Sequence, residues 1–462
     1  MNKRVCIIGG GISGLCTAYS LKKRGVRVLL LEKNSFAGGN IQTEKFDRFL
    51  IEYGPNSTLA AEHLFELADE LGLTSEIASA DSAAKKRYIL KDGKLQALPM
   101  KIVSLIGSKS FSAGAKLRLL KEPFIKSKAA EDESISDFFA RRLGREIVDY
   151  AVDPFVSGIF AGNPDNLSLK SAFPKLFELE KNYGSLLKGA IFSPKEKKSK
   201  VPKSVSRTVS FKNGMQTLTD KLFAELGESA KLNTEVFEIK KAENGKYSLQ
   251  TNDEKINAEI FDSIVISTPS FVAARLIKSF DIELSERLAD IYHSPIAVVF
   301  TAFKKENIKF DMDGFGFLIP KVERRKILGS LWNSAVFAGR APENFHLLTT
   351  FIGGARNAEL VEKSEDVLIK IALEELNSIL GLSGAPVFAK VKKWEKAIPQ
   401  YNIGYEKIIE SIENFKKRTA GIFFCSNFYR GISVSDCIKN AAQTAGEIED
   451  FFGLSDCANV RS

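Results

Sequence analysis

Three glycines near the start of the chain have the spacing of a dinucleotide-binding loop. Gly9, Gly11 and Gly14 form the pattern G-x-G-x-x-G between an apolar run, VCII, and a segment with helical spacing. In this pattern glycine permits a tight turn, close backbone approach to a pyrophosphate, and packing of the helix on the strand. Glu32 follows 18 residues after Gly14, where its carboxylate would accept hydrogen bonds from a ribose. These residues predict a pyrophosphate on the N-terminus of the first helix.

NAD and FAD both use this loop, so the choice between them depends on residues elsewhere. The turn from Gly431 to Asp436 precedes the last predicted helix, whose N-cap we expect at Ser435 or Asp436. Free N–H groups there would stabilise the negative charge that a flavin acquires near N1 and C2=O on reduction. The same turn is equally well explained as an ordinary N-cap loop, and both alternatives stay open on these residues alone.

The chain has 462 residues with 66 Lys and Arg against 57 Asp and Glu, a net charge of +9. This excess is compatible with anionic small molecules, phospholipid surfaces or nucleic acid, although solubility alone explains it. The five cysteines are scattered, which predicts a reducing compartment without structural disulfides. The chain has no apolar run of about 18 residues, and the first strand begins by Arg4. We therefore expect neither a spanning helix nor a targeting peptide, and a cytoplasmic location.

The order of local patterns predicts three parts. Residues 3–32 have the pattern strand, helix, strand; helical patterns and a lysine-rich loop fill 99–207; strand patterns resume at Lys231 and alternate in antiparallel fashion from Ile296. The predicted parts are a discontinuous cofactor domain (1–84, 205–292 and 415–462), a substrate domain (85–99 and 293–414) and a helical insertion (100–204).

The segment KKRYILKDGKLQALP, residues 85–99, predicts a hairpin that turns at Asp92-Gly93. It begins with the cations Lys85, Lys86 and Arg87. By themselves these three residues are most simply interpreted as a solvated cluster.

Several segments together resemble the protoporphyrinogen oxidase family, a branch of the FAD-dependent amine oxidase and phytoene desaturase superfamily. They are the glycine loop with Glu32 and Gly38-Gly39, FLIEYGPNS (49–57), DPFVSGIFAGNP (153–164), NGMQTL (213–218), ISTP (266–269), GFGFLIP (314–320), LGSLWNSAVFAGRAP (328–342), TTFIGGARN (349–357), WEKAIPQY (394–401) and NFYRGISVSDCI (427–438).

The resemblance implies an α/β fold in which a Rossmann-like FAD-binding domain of the glutathione-reductase type joins an antiparallel-sheet substrate domain and a helical insertion. It implies FAD as cofactor. The residues it places at FAD are Gly9, Gly10, Gly11, Ile12, Ser13, Gly14, Glu32, Lys33, Gly38, Gly39, Asn40, Gly54, Pro55, Asn56, Ser57, Val236, Trp394, Asn427, Ile432, Ser433 and Val434.

The resemblance also implies substrate contacts, among which an arginine binds a propionate of the substrate. These residues are Arg87, Gly158, Phe315, Leu318, Leu331 and Phe351. From the pattern alone the apolar members are ordinary strand core, and the resemblance favours a wall against a flat ligand instead.

The implied activity is the six-electron oxidation of protoporphyrinogen IX to protoporphyrin IX, with dioxygen or another electron acceptor and hydrogen peroxide as product. No metal-ligand spacing is present, and the flavin carries the chemistry without a side-chain base. Alternatives are oxidation of coproporphyrinogen III to coproporphyrin III, a flavin amine oxidase or carotenoid desaturase, and a non-catalytic flavin-fold escort protein.

The partners expected besides the porphyrinogen are an electron acceptor and an anionic membrane surface, and not nucleic acid. Met100, Ile102, Val103, Leu105 and Ile106, followed by KLRLLK and the lysine loop, suit peripheral docking on the cytoplasmic face of a membrane. A solvated basic face explains the same residues, and the oligomeric state stays open, with a homodimer as one alternative.

Overall fold

The computed structural model describes residues 3–81, 84, 86–98, 107–108, 110–126, 131–194, 201, 205 and 208–454. The strands in these ranges are β1 (Arg4–Ile8), β2 (Arg27–Leu31), β3 (Thr43–Phe46), β4 (Phe49–Glu52), β5 (Thr58–Leu59), β6 (Ile77–Ser79), β7 (Lys86–Lys91), β8 (Lys94–Ala97), β9 (Thr208–Phe211), β10 (Ala230–Lys231), β11 (Val236–Lys241), β12 (Tyr247–Thr251), β13 (Ser263–Ile266), β14 (His293–Lys304), β15 (Gly314–Leu318), β16 (Ile327–Trp332), β17 (Phe345–Gly353), β18 (Phe388–Pro399) and β19 (Ile422–Phe424).

The helices in the same ranges are α1 (Ile12–Lys23), α2 (Glu62–Glu70), α3 (Ala113–Lys121), α4 (Ile135–Leu143), α5 (Arg145–Ile147), α6 (Asp153–Phe160), α7 (Leu169–Ala172), α8 (Pro174–Tyr183), α9 (Leu186–Phe192), α10 (Gln216–Leu226), α11 (Glu254–Asn257), α12 (Ser270–Ile277), α13 (Ile282–Ala289), α14 (Asn333–Val336), α15 (Glu365–Leu380), α16 (Tyr405–Arg418) and α17 (Val434–Phe451). A π-helical turn, Val148–Val152, leads into α6.

The first sheet is parallel, with strand order β10-β2-β1-β13-β19. Apart from the short edge strand β10, its strands are largely buried on both faces, so their sequences are mostly apolar rather than alternating. On one face, α1, α10 and α17 share a core, and on the other face the core includes residues of α12, α13 and α16. The predicted strand, helix, strand unit of residues 3–32 is confirmed as β1-α1-β2.

The second sheet has the order β18-β14-β17-β16-β15-β7-β8. Most neighbouring strands are antiparallel, as expected, but β15 and β7 run parallel. The sheet is therefore mixed, because β7 enters from a distant part of the chain. The predicted hairpin is confirmed: β7 and β8 pair through a turn in which Asp92 and Gly93 both have positive φ, at 53° and 71°.

One face of the second sheet packs under α15. Phe317, Trp332 and Leu348, from three adjacent strands, share a core there with Leu368 and Leu376 of the helix. Because side chains alternate along a strand, their neighbours in sequence point to the opposite face. That opposite face packs with Phe49 and Ile51 of β4, and so faces the part of the protein that contains the first sheet, called the cofactor half below.

The described part of the insertion, α3 to α9, is helical. Its helices surround a buried ion cluster in which Arg142 contacts Glu122 and Glu180. Glu122 also accepts hydrogen bonds from the N-terminus of α9, at Leu186 N (2.9 Å) and Leu187 N (3.2 Å). Such a network fixes how the helices pack, since each buried charge has a partner.

The division into three domains stays a prediction, but one of its boundaries needs correction. The boundary between residues 414 and 415 lies inside α16, which packs on α13 of the predicted cofactor domain. The expected N-cap of the last helix was also wrong. Ser433, and not Ser435 or Asp436, begins α17, because Ser433 and Asp436 form a reciprocal capping box.

Candidate active site

The glycine loop between β1 and α1 has no room for side chains on its protein side. A Cβ added to Gly14 would lie 2.0 Å from the carbonyl oxygen of Gly9, and one on Gly9 would lie 2.8 Å from that of Ser267. A Cβ added to Gly11, by contrast, would have no heavy atom of the described residues within 4 Å. The loop is thus packed at its ends and leaves space above its middle.

The N-terminus of α1 points into this space. Gly11 is the N-cap and no side chain caps the helix. The N–H groups of the first turn, on Ile12, Ser13 and Gly14, therefore lack intrahelical acceptors. Together with the helix dipole they form a site for an anion such as a pyrophosphate.

Glu32 lies directly after β2 beside the loop and is buried. Its Oε2 accepts a hydrogen bond from the Gly10 N–H at 2.7 Å. Its Oε1 accepts from the backbone and side chain of Asn34, at 2.9 Å and 2.7 Å. An ionised carboxylate has about four acceptor positions, so some stay available for ribose hydroxyls. Lys33 is exposed beside it.

A second chain segment closes the cradle. Gly38 bridges to Gly11, and a Cβ on Gly39 would lie 3.2 Å from the Gly11 Cα. Gly54 packs still more tightly, since its Cβ would lie 1.8 Å from the carbonyl oxygen of Asn40. These contacts require glycine and bring the three predicted loops together.

The loop before α17 follows β19, which lies at the edge of the first sheet away from β2 and Glu32. Asn427 is half-buried, and its carbonyl accepts a hydrogen bond from the Tyr401 hydroxyl at 2.6 Å. The same hydroxyl accepts from the Gly431 N–H at 3.1 Å. Burial raises the pKa of Tyr401 well above its usual value, so the phenol stays protonated and donates. Sequence reasoning missed Tyr401, although it belongs to the matched segment WEKAIPQY.

Ile432, Ser433 and Val434 form the N-terminal boundary of α17. Val434 is buried, and Ser433 caps the helix. In the first turn, burial raises the pKa of the Cys437 thiol, and the neighbouring Ser13 hydroxyl of α1 opposes this shift. The N-termini of α1 and α17 therefore adjoin, and both fit the negative parts of one extended cofactor.

These residues fit FAD. The space over Gly11, the uncapped donors of α1 and the acceptor Glu32 match a pyrophosphate and a ribose. The buried hydroxyl of Ser267 has no partner among the described residues and lies beside Gly14. Such a group is accounted for by a ligand or an ordered water.

We expect alanine at Gly11 and at Gly14 to separate cofactor binding from folding. Gly11 has φ −71° and ψ 175°, which alanine adopts without strain, so Gly11→Ala should fold with stability changed by under about 1 kcal/mol while its methyl excludes FAD. Gly14→Ala should instead lower the free energy of unfolding by about 1–3 kcal/mol or more. Denaturant unfolding and flavin absorbance measure the two effects. Equal loss of stability in both variants would contradict the assignment.

The remaining predicted cofactor residues are spread along both halves of the protein. Val236 is buried at the start of β11, close to Glu32, whose carbonyl accepts from the Thr234 N–H at 2.8 Å. Trp394, on β18, donates from its Nε1 to the carbonyl of Tyr53 at 2.9 Å. Pro55 and Ser57 are half-buried.

A chain of buried polar side chains links the cofactor loop to the second sheet. Asn333 donates to the Asn56 side-chain carbonyl at 2.5 Å and accepts from the Thr349 hydroxyl at 2.7 Å. Asn333 is buried at the start of α14 and was not predicted as a site residue. Its place in the matched segment LGSLWNSAVFAGRAP was the available signal.

Three of the predicted substrate residues lie on the face of the second sheet opposite α15. Leu318, Leu331 and Phe351 come from β15, β16 and β17 and are half-buried, whereas the adjacent Phe317, Trp332 and Ile352 belong to the core under the helix. Phe351 also packs in a cluster with Trp394. The structure therefore brings predicted substrate and cofactor residues to one surface.

Helix α6 covers one end of this surface through Gly158. A Cβ on Gly158 would lie 2.9 Å from Cδ2 of Leu318, so only glycine permits this contact without a shift. Phe155 and Ile159 lie on the same side of the helix and are exposed. They are exposed apolar residues beside Gly158 that were not predicted as site residues, and Phe155 stacks on Phe173.

Arg87 lies on β7, the strand that pairs with β15 at the edge of this surface. Tyr88 packs with the core under α15, so the alternation of β7 directs Arg87 to the other face. The guanidinium lies 4.1 Å from the ring centroid of Phe315 and is half-buried. Burial lowers the pKa of Arg87, and no carboxylate among the described residues pairs with it. Its neighbour Lys86 pairs with Asp313 instead, and Lys85 lies outside the described residues.

Two buried ionisable side chains, Glu52 and Arg340, meet where the two halves join. Glu52, on β4, lies 3.7 Å from Arg340, and each side chain is 1% exposed. Met215 N–H donates to Glu52 at 2.8 Å. Burial raises the pKa of Glu52 to about 7, although Thr43, Arg340 and the Met215 N–H oppose the shift.

This shift predicts a pH dependence of stability. The folded protein keeps the Glu52 proton up to about pH 7, whereas the unfolded chain loses it near pH 4.5. The contribution of Glu52 to the free energy of unfolding is therefore complete below pH 4.5, and it is lost as the pH rises through 7. Its size is at most about 3 kcal/mol. In urea unfolding at several pH values, the free energy of unfolding should fall with rising pH in this range for the native protein, and less steeply for Glu52→Gln. Identical slopes would refute the shift.

Comparisons with known proteins agree with this geometry. Residues 12–449 match the family described as Flavin containing amine oxidoreductase. A mitochondrial protoporphyrinogen oxidase of Nicotiana tabacum is 35% identical over 96% of this chain and 94% of its own. A coproporphyrinogen III oxidase of Bacillus subtilis is 29% identical over 94% of this chain and 96% of its own.

A crystal structure from Exiguobacterium sp. 255-15 has the same fold, with a TM-score of 0.81 and 24% identity over 97% of this chain and 99% of that one. The predicted fold class is thus confirmed, and so is FAD as the cofactor, since the matched family is flavin-containing. The individual site residues stay predictions. The chain belongs to the flavin containing amine oxidoreductases and, among them, to the protoporphyrinogen oxidase family, and it is an FAD-dependent oxidoreductase.

Proposed function

We propose that the protein oxidises protoporphyrinogen IX to protoporphyrin IX, passing six electrons to three dioxygen molecules and forming three of hydrogen peroxide. The observation that carries this proposal is Arg87, a half-buried guanidinium without a carboxylate partner at the edge of an apolar surface. A flat macrocycle with apolar faces and carboxylate arms is complementary to that combination. Relatives named protoporphyrinogen oxidase support it.

The side chains would bind and orient the substrate. When bound, FAD supplies the acceptor for hydride. Arg87 would hold one propionate through its planar fork, and Leu318, Leu331 and Phe351 would keep the macrocycle parallel to their surface and exclude water. Gly158 would let α6 approach the edge of the ring. Pyrrole protons leave to solvent.

The second candidate is oxidation of coproporphyrinogen III, because the Bacillus subtilis relative bears that name. This substrate has propionates where protoporphyrinogen has vinyl groups, and more cations at the surface would favour it. Here Lys86 is paired with Asp313, which leaves Arg87 as the unpaired cation of β7 among its described residues. On β7, therefore, a single guanidinium is available for a substrate carboxylate, which suits the substrate with fewer of them.

Anaerobic mixing of the FAD-loaded protein with each porphyrinogen tests the proposal. We expect protoporphyrinogen IX to bleach the flavin absorbance at least about tenfold faster than coproporphyrinogen III. Admission of air should restore the absorbance and release hydrogen peroxide. The reverse order of rates would select the second candidate, and reduction by an amine alone would reject both.

We also propose that the protein is cytoplasmic and docks on the membrane surface through its helical insertion. Large apolar side chains of α3, α9 and the turn between α3 and α4 are exposed: Leu117, Leu120, Phe124, Ile191 and Phe192. Phe124 is 80% exposed, which is unusual for phenylalanine. The same helices carry Lys116, Arg118, Lys121 and Lys188. Among the described helices none is long and apolar enough to cross a bilayer.

Exposed apolar groups beside cations predict binding to anionic lipid. Co-sedimentation should occur with anionic vesicles, weaken as salt is added, and be absent with neutral vesicles. Phe124→Ser should reduce binding about tenfold, since it removes most of one phenylalanine's burial in lipid. Leu59→Ser, at an exposed position on the cofactor half, is the control. Protein that stays in the supernatant with both kinds of vesicle would refute docking. The predicted residues 100–106 lie outside the described ranges.

A further inference from the structure

The N-terminus of α6 is held by one arginine. Both side-chain oxygens of Asp153 accept hydrogen bonds from Nη2 of Arg356, at 3.0 Å and 2.9 Å, and Oδ2 also accepts from the Lys321 N–H at 2.7 Å. The other terminal nitrogen of Arg356 donates to the carbonyl of Ile319 at 2.9 Å. The ion pair is largely buried, with side chains 10% and 8% exposed.

The C-terminus of α6 is held by Ala355, which lies in the same loop as Arg356, and by Gln400. The Ala355 N–H donates to the carbonyl of Ala161 at 2.7 Å, and Ala161 adopts a left-handed conformation with φ 47°. The Phe160 carbonyl accepts from Nε2 of Gln400 at 2.7 Å. The loop that contains Arg356 thus contacts both ends of the helix.

Arg356 connects the two sides of the predicted substrate contact. Its partner Asp153 begins the helix that carries Gly158, and its partner Ile319 directly follows Leu318. Gly158 and Leu318 touch each other. A single guanidinium therefore bonds both elements that meet at this contact.

Stability alone does not account for a charged pair at this place. A buried ion pair costs desolvation, and apolar residues of similar volume often replace it without loss. A guanidinium fork instead imposes a direction and a spacing on its acceptors. The helix also enters through the π-helical turn Val148–Val152, a type of distortion frequent at functional sites.

We propose that Asp153 and Arg356 are positioning residues for the substrate, which set α6 against β15 so that Gly158 and Leu318 form one wall of the porphyrinogen site. This inference rests on the proposed function. The pair does not contact the glycine loop or Glu32, so it should leave FAD binding unchanged.

Full-length, FAD-loaded Asp153→Asn and Arg356→Lys test the proposal. We expect the Kd for protoporphyrin IX, followed by quenching of its fluorescence, and the KM for protoporphyrinogen IX each to rise on the order of 10- to 100-fold. Flavin content should be unchanged, and kcat should change much less than KM. Arg325→Lys is the matched control, because Arg325 pairs with Glu375 near the other face of the same sheet.

A purely structural pair would lower the melting temperature while the folded variants kept the native Kd and KM, and this result would overturn the proposal. If either single variant fails to fold, the double variant Asp153→Asn with Arg356→Gln leaves no unpaired buried charge and is measured in its place. A native Kd and a native KM in that double variant would also overturn the proposal. If the native protein neither binds protoporphyrin IX nor oxidises a porphyrinogen, the proposed function fails and this inference fails with it.

Discussion

Glu32→Lys is expected to fold but to be purified almost without FAD. The carboxylate lies beside the glycine loop, where the expected ligand offers ribose hydroxyl donors. Lysine has three donors and no acceptor, so it would lose these bonds and place a cation next to the Gly10 N–H. Two charge-assisted hydrogen bonds of about 1.5–3 kcal/mol each correspond to a loss of affinity of about 100-fold or more.

The flavin-to-protein absorbance ratio measures this effect, and circular dichroism checks the fold. Glu228→Lys makes the same charge change at an exposed position of the same half and should retain its flavin. Full flavin content in Glu32→Lys would show that the nucleotide does not reach this carboxylate.

Arg87→Ala should keep FAD and the fold but lose 10- to 150-fold in kcat/KM for protoporphyrinogen IX. Among the described residues no carboxylate pairs with the Arg87 guanidinium, so we expect it to bind a carboxylate of the substrate. Loss of one charge-assisted contact of about 1.5–3 kcal/mol gives this range. Lysine should restore only part of the activity, because it neither forms the bidentate contact nor stacks on Phe315 in the same way.

Lys86→Ala is the control for Arg87→Ala. Lys86 precedes Arg87 on β7, but it is exposed and pairs with Asp313, so its removal should change kcat/KM little. Comparable losses of kcat/KM in the two variants would show that Arg87 acts as a surface charge and that the substrate binds elsewhere.

The local parts of the fold could be predicted from the sequence because their signals are local. The run VCII before a glycine loop gives β1, and Asp92-Gly93 between apolar segments gives the β7–β8 hairpin. The N-cap at Ser433 was also available, since Ser433 and Asp436 have the spacing of a capping box. By contrast, nothing in the sequence near β7 or β15 indicates that the two strands pair in parallel.

The candidate site was predictable only in part, for a different reason. Whether Leu318 packs in the core or lines the substrate surface depends on which face of the sheet α15 covers. The strand pattern shows that side chains alternate between the two faces, but not which face the helix covers. An irregularity between Gly314 and Phe317 further shifts the register near Phe315. Asp153 and Arg356 are 203 positions apart in sequence, so neither residue carries a local sign of the other.

The pairing of β7 with β15 has a consequence for how the protein forms. Lys86 and Asp313 are 227 positions apart in sequence. Closing a flexible loop of that length costs about 5 kcal/mol of chain entropy. During synthesis the hairpin that carries Arg87 leaves the ribosome long before β15 exists, and it waits with an unpaired strand edge that is open to wrong partners. The proposed propionate site is therefore among the last features to assemble, and a chain that stops before β15 carries Arg87 without the strand that pairs with it.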